Sequence, residues 1–114
     1  MSTAAATLTS RGYFLGGELL CGGKREGSVY HPTVLTNTRP EMRVNCLEIF
    51  GPVVTVEPFD DFEKVLGAVN DSPFGLQAGV FTRDLKAAFR AYEQLEVGGV
   101  IVNDIPTFRV DQMP

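Results

Sequence analysis

The sequence of 114 residues has no tryptophan, one histidine and two cysteines. Cys21 and Cys46 could close a single disulfide, which rules out a framework of bridges. With no secretory signal in view they read as reduced thiols of a cytoplasmic protein. The lone His31 stands beside Pro32 with no carboxylate partner evident, so it reads as structural. No cluster of His, Cys, Asp and Glu has metal-ligand spacing. No apolar run approaches the ~20 residues of a membrane helix, so no membrane partner is expected. Lys and Arg number 10 against 14 Asp and Glu, giving a net charge of −4. The signs are interspersed, and no basic footprint for nucleic acid results. Hydrophobic residues at 44% and charged residues at 21% match a globular chain and exclude a disordered one.

Residues 1–15 are rich in Ala, Ser and Thr at their start, and read as a disordered or divergent tail. They lack the basic start and apolar stretch of a secretory signal. An organelle-targeting reading stays open, because Arg11 is basic and no acid precedes Glu18. Residues 16–114 carry the structure. Val53 to Glu57 is short and β-branched, which predicts a strand. Asp60 then stands as an N-cap with Glu63 three residues on, the spacing of a capping box. Phe62, Val65, Leu66 and Val69 share one helical face. Gln77 to Thr82 predicts a second strand. A second helix starts near Thr82 or Asp84, with Leu85, Ala88, Phe89, Tyr92 and Leu95 as its apolar stripe. Gly98 is placed to close that helix in the left-handed conformation, and Val100 to Asn103 is a third strand. Leu19 to Cys21 and Val29 to Leu35 fit short strands or extended segments. Crossovers that contain a helix imply parallel strands. The fold class expected is therefore α/β, an open, mostly parallel sheet with flanking helices.

Asn45 to Val53 carries most of the chemistry. Glu48 and Phe50, two residues apart, precede the Gly51-Pro52 turn that feeds a strand. A carboxylate there can accept bonds from both hydroxyls of a ribose, and a ring can pack beside its apolar face. Pattern alone reads the pair as a surface carboxylate and a core ring beside a turn.

Leu47 to Val53 resembles the Glu-Glu-Ile/Val-Phe-Gly-Pro-Val signature of the aldehyde dehydrogenase superfamily. Gly22-Gly23-Lys24 with His31 to Leu35, then Asn70 to Thr82, then Gly98 to Asn103, resemble further blocks of that family in its order and spacing. The resemblance implies that residues 16–114 are the C-terminal portion of an aldehyde dehydrogenase catalytic domain. It implies that Glu48 and Phe50 hold the nicotinamide ribose of NAD or NADP; Leu47 replaces the signature's first Glu and does not alter that assignment. Phe108 and Arg109 fall where the family lines its aldehyde entrance. The wording from Pro106 to Pro114 resembles a subgroup with lactaldehyde-type and phosphonoacetaldehyde-type enzymes, which usually reads His where this chain has Gln112. For Arg109 an ordinary surface loop stays an alternative.

In the family an upstream cysteine attacks the aldehyde, hydride passes to the nicotinamide and water releases the acid; a glutamate acts as base. Those segments do not occur in this chain. Cys46 does not resemble the nucleophile's surroundings, and only Arg43 stands near to lower its pKa. The expected function is thus a segment of a nicotinamide-dependent enzyme, inactive by itself, with an aldehyde as substrate of the whole and a homo-oligomer as its state. The rival expectation is a non-catalytic α/β module serving interaction or structure.

Overall fold

The computed structural model describes residues 17–107 and Gln112. The chain divides into two compact units, Met1–Pro58 and Phe59–Pro114. The α/β class is what the structure contains, arranged in small sheets.

In the first unit, β1 (Glu18–Cys21), β4 (Thr33–Thr36) and β5 (Val53–Thr55) form a sheet in the order β1-β4-β5. β1 runs antiparallel to β4, with a register shift between Leu19 and Cys21. β5 runs parallel to β4, pairing Thr33 with Val53 and Leu35 with Thr55. Between β1 and β4, β2 (Arg25–Glu26) and β3 (Val29–Tyr30) form a tight antiparallel hairpin. Its two-residue connection starts at Gly27, whose φ of 61° only glycine adopts cheaply. Gly22 is more constrained. Its φ is 83°, and an added Cβ would lie 1.9 Å from the Pro32 carbonyl oxygen.

Thr33 explains how the hairpin joins the sheet. Its side chain is buried, and its hydroxyl accepts from the Gly23 amide at 2.9 Å while donating to the His31 carbonyl at 2.9 Å. One hydroxyl thus satisfies two backbone groups that the ladder leaves over. Next to it, Leu35 is fully buried and gathers Leu19, Tyr30, Val44, Ile49 and Val53. α1 (Arg43–Cys46) is a single turn that buries no residue of its own and has no side-chain cap.

In the second unit, α2 (Phe62–Asn70), β6 (Ala78–Val80), α3 (Leu85–Gln94) and β7 (Val100–Val102) follow in the expected alternation. β6 and β7 pair in parallel across the α3 crossover, Ala78 with Val100 and Val80 with Val102. No hairpin joins any two of β5, β6 and β7. Leu66, Ala91 and Leu95 form the core, with Phe62, Ala78, Val80, Val97 and Val100 against them.

Several local expectations are corrected. The α2 cap is Asp61, not Asp60; its carboxylate accepts from the Lys64 amide at 3.2 Å. Asp84 caps α3 as expected, through the Lys86 amide at 2.8 Å. Gly98 does not adopt the left-handed conformation. Instead α3 ends at Gln94, where Asn70 donates to the Gln94 carbonyl at 2.7 Å and accepts from the Glu96 amide at 2.9 Å. A side chain from α2 therefore does the work assigned to a glycine. Gly98 docks its amide on the Gly75 carbonyl at 2.8 Å. The packed edge of α3 is Ala88, Ala91 and Leu95, whereas Leu85, Phe89 and Tyr92 are exposed. Large side chains dominate a sequence pattern, but small ones let a helix come close to a strand.

Candidate functional site

The loop from Leu47 to Pro52 leads out of α1 and into β5. Leu47 is extended, with φ −124° and ψ 146°. Its amide still donates to the Arg43 carbonyl at 3.0 Å, so the loop begins from a defined turn. Ile49 packs against the Leu35 core, while Glu48 and Phe50 on either side of it are exposed. The chain then tightens through two successive three-residue turns. Gly51 donates to the Ile49 carbonyl and Val53 to the Gly51 carbonyl, both at 2.9 Å. The Thr33 amide holds the Pro52 carbonyl at 2.8 Å, which fixes the loop's exit on β4.

Phe50 is 93% exposed, against 43% for Leu47. A phenylalanine ring so open is costly in water and calls for a covering group. Among the described residues no hydrogen bond or ion pair engages the Glu48 carboxylate. The structure thus brings Glu48 and Phe50 onto one anchored loop, with Ile49 as the peg between them.

A polar clasp closes around the base of this loop. The Glu57 carboxylate, just after β5, accepts from the Thr38 amide at 2.7 Å and the Thr38 hydroxyl at 2.8 Å. That hydroxyl accepts in turn from the Asn45 amide group at 3.0 Å, and the same Asn45 nitrogen donates to the Arg39 carbonyl at 2.9 Å. Sequence reasoning missed these residues. Thr38 and Glu57 stand 19 positions apart, and no periodicity marks such a pair.

In the second unit the corresponding feature lies beyond the carboxyl ends of β6 and β7. Asn103, at φ 58°, donates its amide to the Val80 carbonyl at 2.9 Å and accepts from the Thr82 amide at 2.9 Å. Residues 104–106 fold back over β6. A Cβ on Gly79 would meet the Asp104 carbonyl oxygen at 3.0 Å and the Pro106 ring at 3.1 Å. Residues 104–106 begin the segment in which the sequence puts an aldehyde entrance; Phe108 and Arg109 lie outside the described residues.

Cys21 and Cys46 are free and exposed. His31 does have a carboxylate neighbour, since its Nε2 lies 3.4 Å from the Glu26 carboxylate, brought there by the β2–β3 hairpin. Among the described residues no group of three potential ligands could hold a metal, and no helix is long and apolar enough to cross a membrane.

Comparison with known proteins assigns the chain. Residues 6–114 match the model of the aldehyde dehydrogenase family. The 3-sulfolactaldehyde dehydrogenase of Priestia aryabhattai is 50% identical over 99 residues, covering 87% of this chain and 21% of that protein. Aldehyde dehydrogenase 21 of Physcomitrella patens, solved with the reaction product succinate, superposes with a TM-score of 0.79 at 47% identity, covering 84% of this chain and 20% of that one. A 1-pyrroline-5-carboxylate dehydrogenase from Thermus with bound NAD matches at TM-score 0.74 and 40% identity, over 80% of this chain and 18% of that one. The glyceraldehyde-3-phosphate dehydrogenase GapN of Methanocaldococcus jannaschii, complexed with NADP, matches at TM-score 0.75 and 34% identity, over 84% and 21%. The chain spans about a fifth of the length of these relatives, and it belongs to the aldehyde dehydrogenase family.

Proposed function

We propose that this chain is a segment of a nicotinamide-dependent enzyme that oxidises an aldehyde to a carboxylic acid. In this reading Glu48 and Phe50 clamp the nicotinamide ribose of NAD or NADP. Phe108 and Arg109 belong to the aldehyde entrance. The observation that carries the reading is the exposed pair Glu48 and Phe50, held on either side of the packed Ile49. The open carboxylate suits two ribose hydroxyls, and the open ring suits the flat apolar face of the sugar. The cofactor supplies the hydride acceptor; these residues keep its ring aligned with the donor carbon, where small displacements are expensive.

The segment by itself has no turnover in this reading, because the nucleophile and base it needs are supplied from outside it. Homo-oligomerisation is supported by the exposed Leu85, Phe89 and Tyr92 along α3. Two free, exposed thiols support a cytoplasmic setting.

The test is single-turnover hydride transfer in the full-length enzyme carrying this segment. Glu48→Gln should slow hydride transfer more than it weakens cofactor binding, while residues 1–114 alone should neither bind NAD or NADP in a calorimetric titration nor oxidise an aldehyde. Unchanged hydride transfer in Glu48→Gln, or turnover by the isolated chain, would overturn the reading.

A further inference from the structure

We propose that Thr38, Asn45 and Glu57 are positioning residues for the cofactor clamp, acting as a clasp that fixes both ends of the loop bearing Glu48 and Phe50. The inference rests on the clamp reading above. Its own ground is a mismatch between how the loop is presented and what the helix before it could sustain. α1 is one turn, Arg43–Cys46, with no side-chain cap and no buried residue. A helix so short is unstable by itself, because its nucleation cost is not repaid by propagation. Yet the Leu47 amide bond that closes this turn sets where Glu48 begins.

Val44, packed on Leu35, supplies one constraint on the turn, and the clasp supplies the other. Asn45 sits inside α1 and spends both protons of its amide nitrogen, on the Thr38 hydroxyl and on the Arg39 carbonyl. The hydroxyl donates its own hydrogen bond to the Glu57 carboxylate, which also accepts from the Thr38 amide. Every donor in the chain has an acceptor, and the acceptor at its end is a carboxylate, whose bonds are the stronger kind. Glu57 lies beyond β5, on the far side of the loop from Asn45. One threonine hydroxyl therefore joins the loop's entry to its exit.

Thr38 is itself held. Asn37 adopts φ 51° and donates to the Glu18 carboxylate at 2.7 Å, turning the chain out of β4. Gly17 leaves room for the Thr38 methyl group, since a Cβ there would come within 2.7 Å of it.

Two measurements test the clasp. On residues 1–114, amide hydrogen exchange at Cys46 and Leu47 reads the integrity of the turn. Glu57→Leu and Asn45→Ala should each speed it about tenfold, whereas Glu57→Gln, which keeps the accepting oxygen, should restore it. In the full-length enzyme Glu57→Leu should lower single-turnover hydride transfer by about tenfold with little change in aldehyde KM, and Glu57→Gln should recover most of the loss. Exchange unaltered by Glu57→Leu overturns the clasp. Faster exchange with hydride transfer unchanged, while Glu48→Gln slows it, overturns the positioning role and leaves the clamp standing. If Glu48→Gln is itself without effect, the clamp reading fails and the positioning role falls with it, whatever the exchange shows.

Discussion

Leu35→Ala tests both the core of the first unit and the foundation of its loop. Leu35 is fully buried and is the centre on which Leu19, Tyr30, Val44, Ile49 and Val53 converge. The change removes the apolar part of a leucine beyond its Cβ, three carbons worth ~0.8 kcal/mol each in transfer. The cavity left behind raises the cost to about 3–4 kcal/mol. The described part of the unit, residues 17–58, holds ~4 kcal/mol in all at about 0.1 kcal/mol per residue. Most of the unit's stability should therefore go. Urea titration read by amide exchange in β4 and β5 measures this, with Leu35→Met as a near volume-conserving control expected to lose under ~1.5 kcal/mol. Because Ile49 rests on Leu35, exchange from Ile49 to Val53 should rise in the same variant. A loss below ~1 kcal/mol for Leu35→Ala would refute the view that this single side chain organises the unit.

Two further outcomes follow from the geometry. Gly22→Ala combines left-handed strain at φ 83° with a Cβ 1.9 Å from a backbone oxygen, so it should cost at least ~2 kcal/mol; Gly27→Ala, at φ 61° with nothing within 4 Å, should cost only the strain, ~1 kcal/mol. Paired denaturation curves check the ordering. On α2, the hydrogen bond from Arg90 holds the Glu63 carboxyl below its usual range. A depressed folded-state pKa contributes stability above the unfolded carboxylate pKa, and that contribution is lost as pH falls through the folded one. Glu63→Gln should therefore flatten the acid limb of the stability profile, and added salt should shrink the difference, since the pair is exposed.

What was legible in the sequence was what repeats or what stands at a chain-local distance. The β-branched run at Val53 and the alternation through α2, β6, α3 and β7 follow from periodicity. Asp84 as a cap follows from its place before the helix. Choosing between Asp60 and Asp61 required the backbone path, because adjacent acids offer the same chemistry. The end of α3 was assigned to Gly98 because glycine marks such ends, but Asn70, on α2, does it across 24 positions. The pairing of His31 with Glu26 was hidden until the hairpin between them closed. At the candidate site, Glu48 and Phe50 are singled out by the resemblance of their surroundings, and the structure adds that both are exposed on one loop. The clasp beneath them was not legible, since Thr38, Asn45 and Glu57 are ordinary polar residues until the fold makes them neighbours.

Thr33 shows how shape and chemistry can part company under substitution. Valine would fill the same space in the sheet and carry the same β-branching. It would also strand the Gly23 amide and the His31 carbonyl, which share the Thr33 hydroxyl. Serine has the opposite profile, keeping both bonds and giving up a methyl group. A matrix that ranks replacements by bulk would favour valine at this position; one that counts protons and lone pairs would favour serine. The drift this corner of the fold tolerates is governed by the second ledger, so the side chain that looks most like a core residue is the one least free to become one.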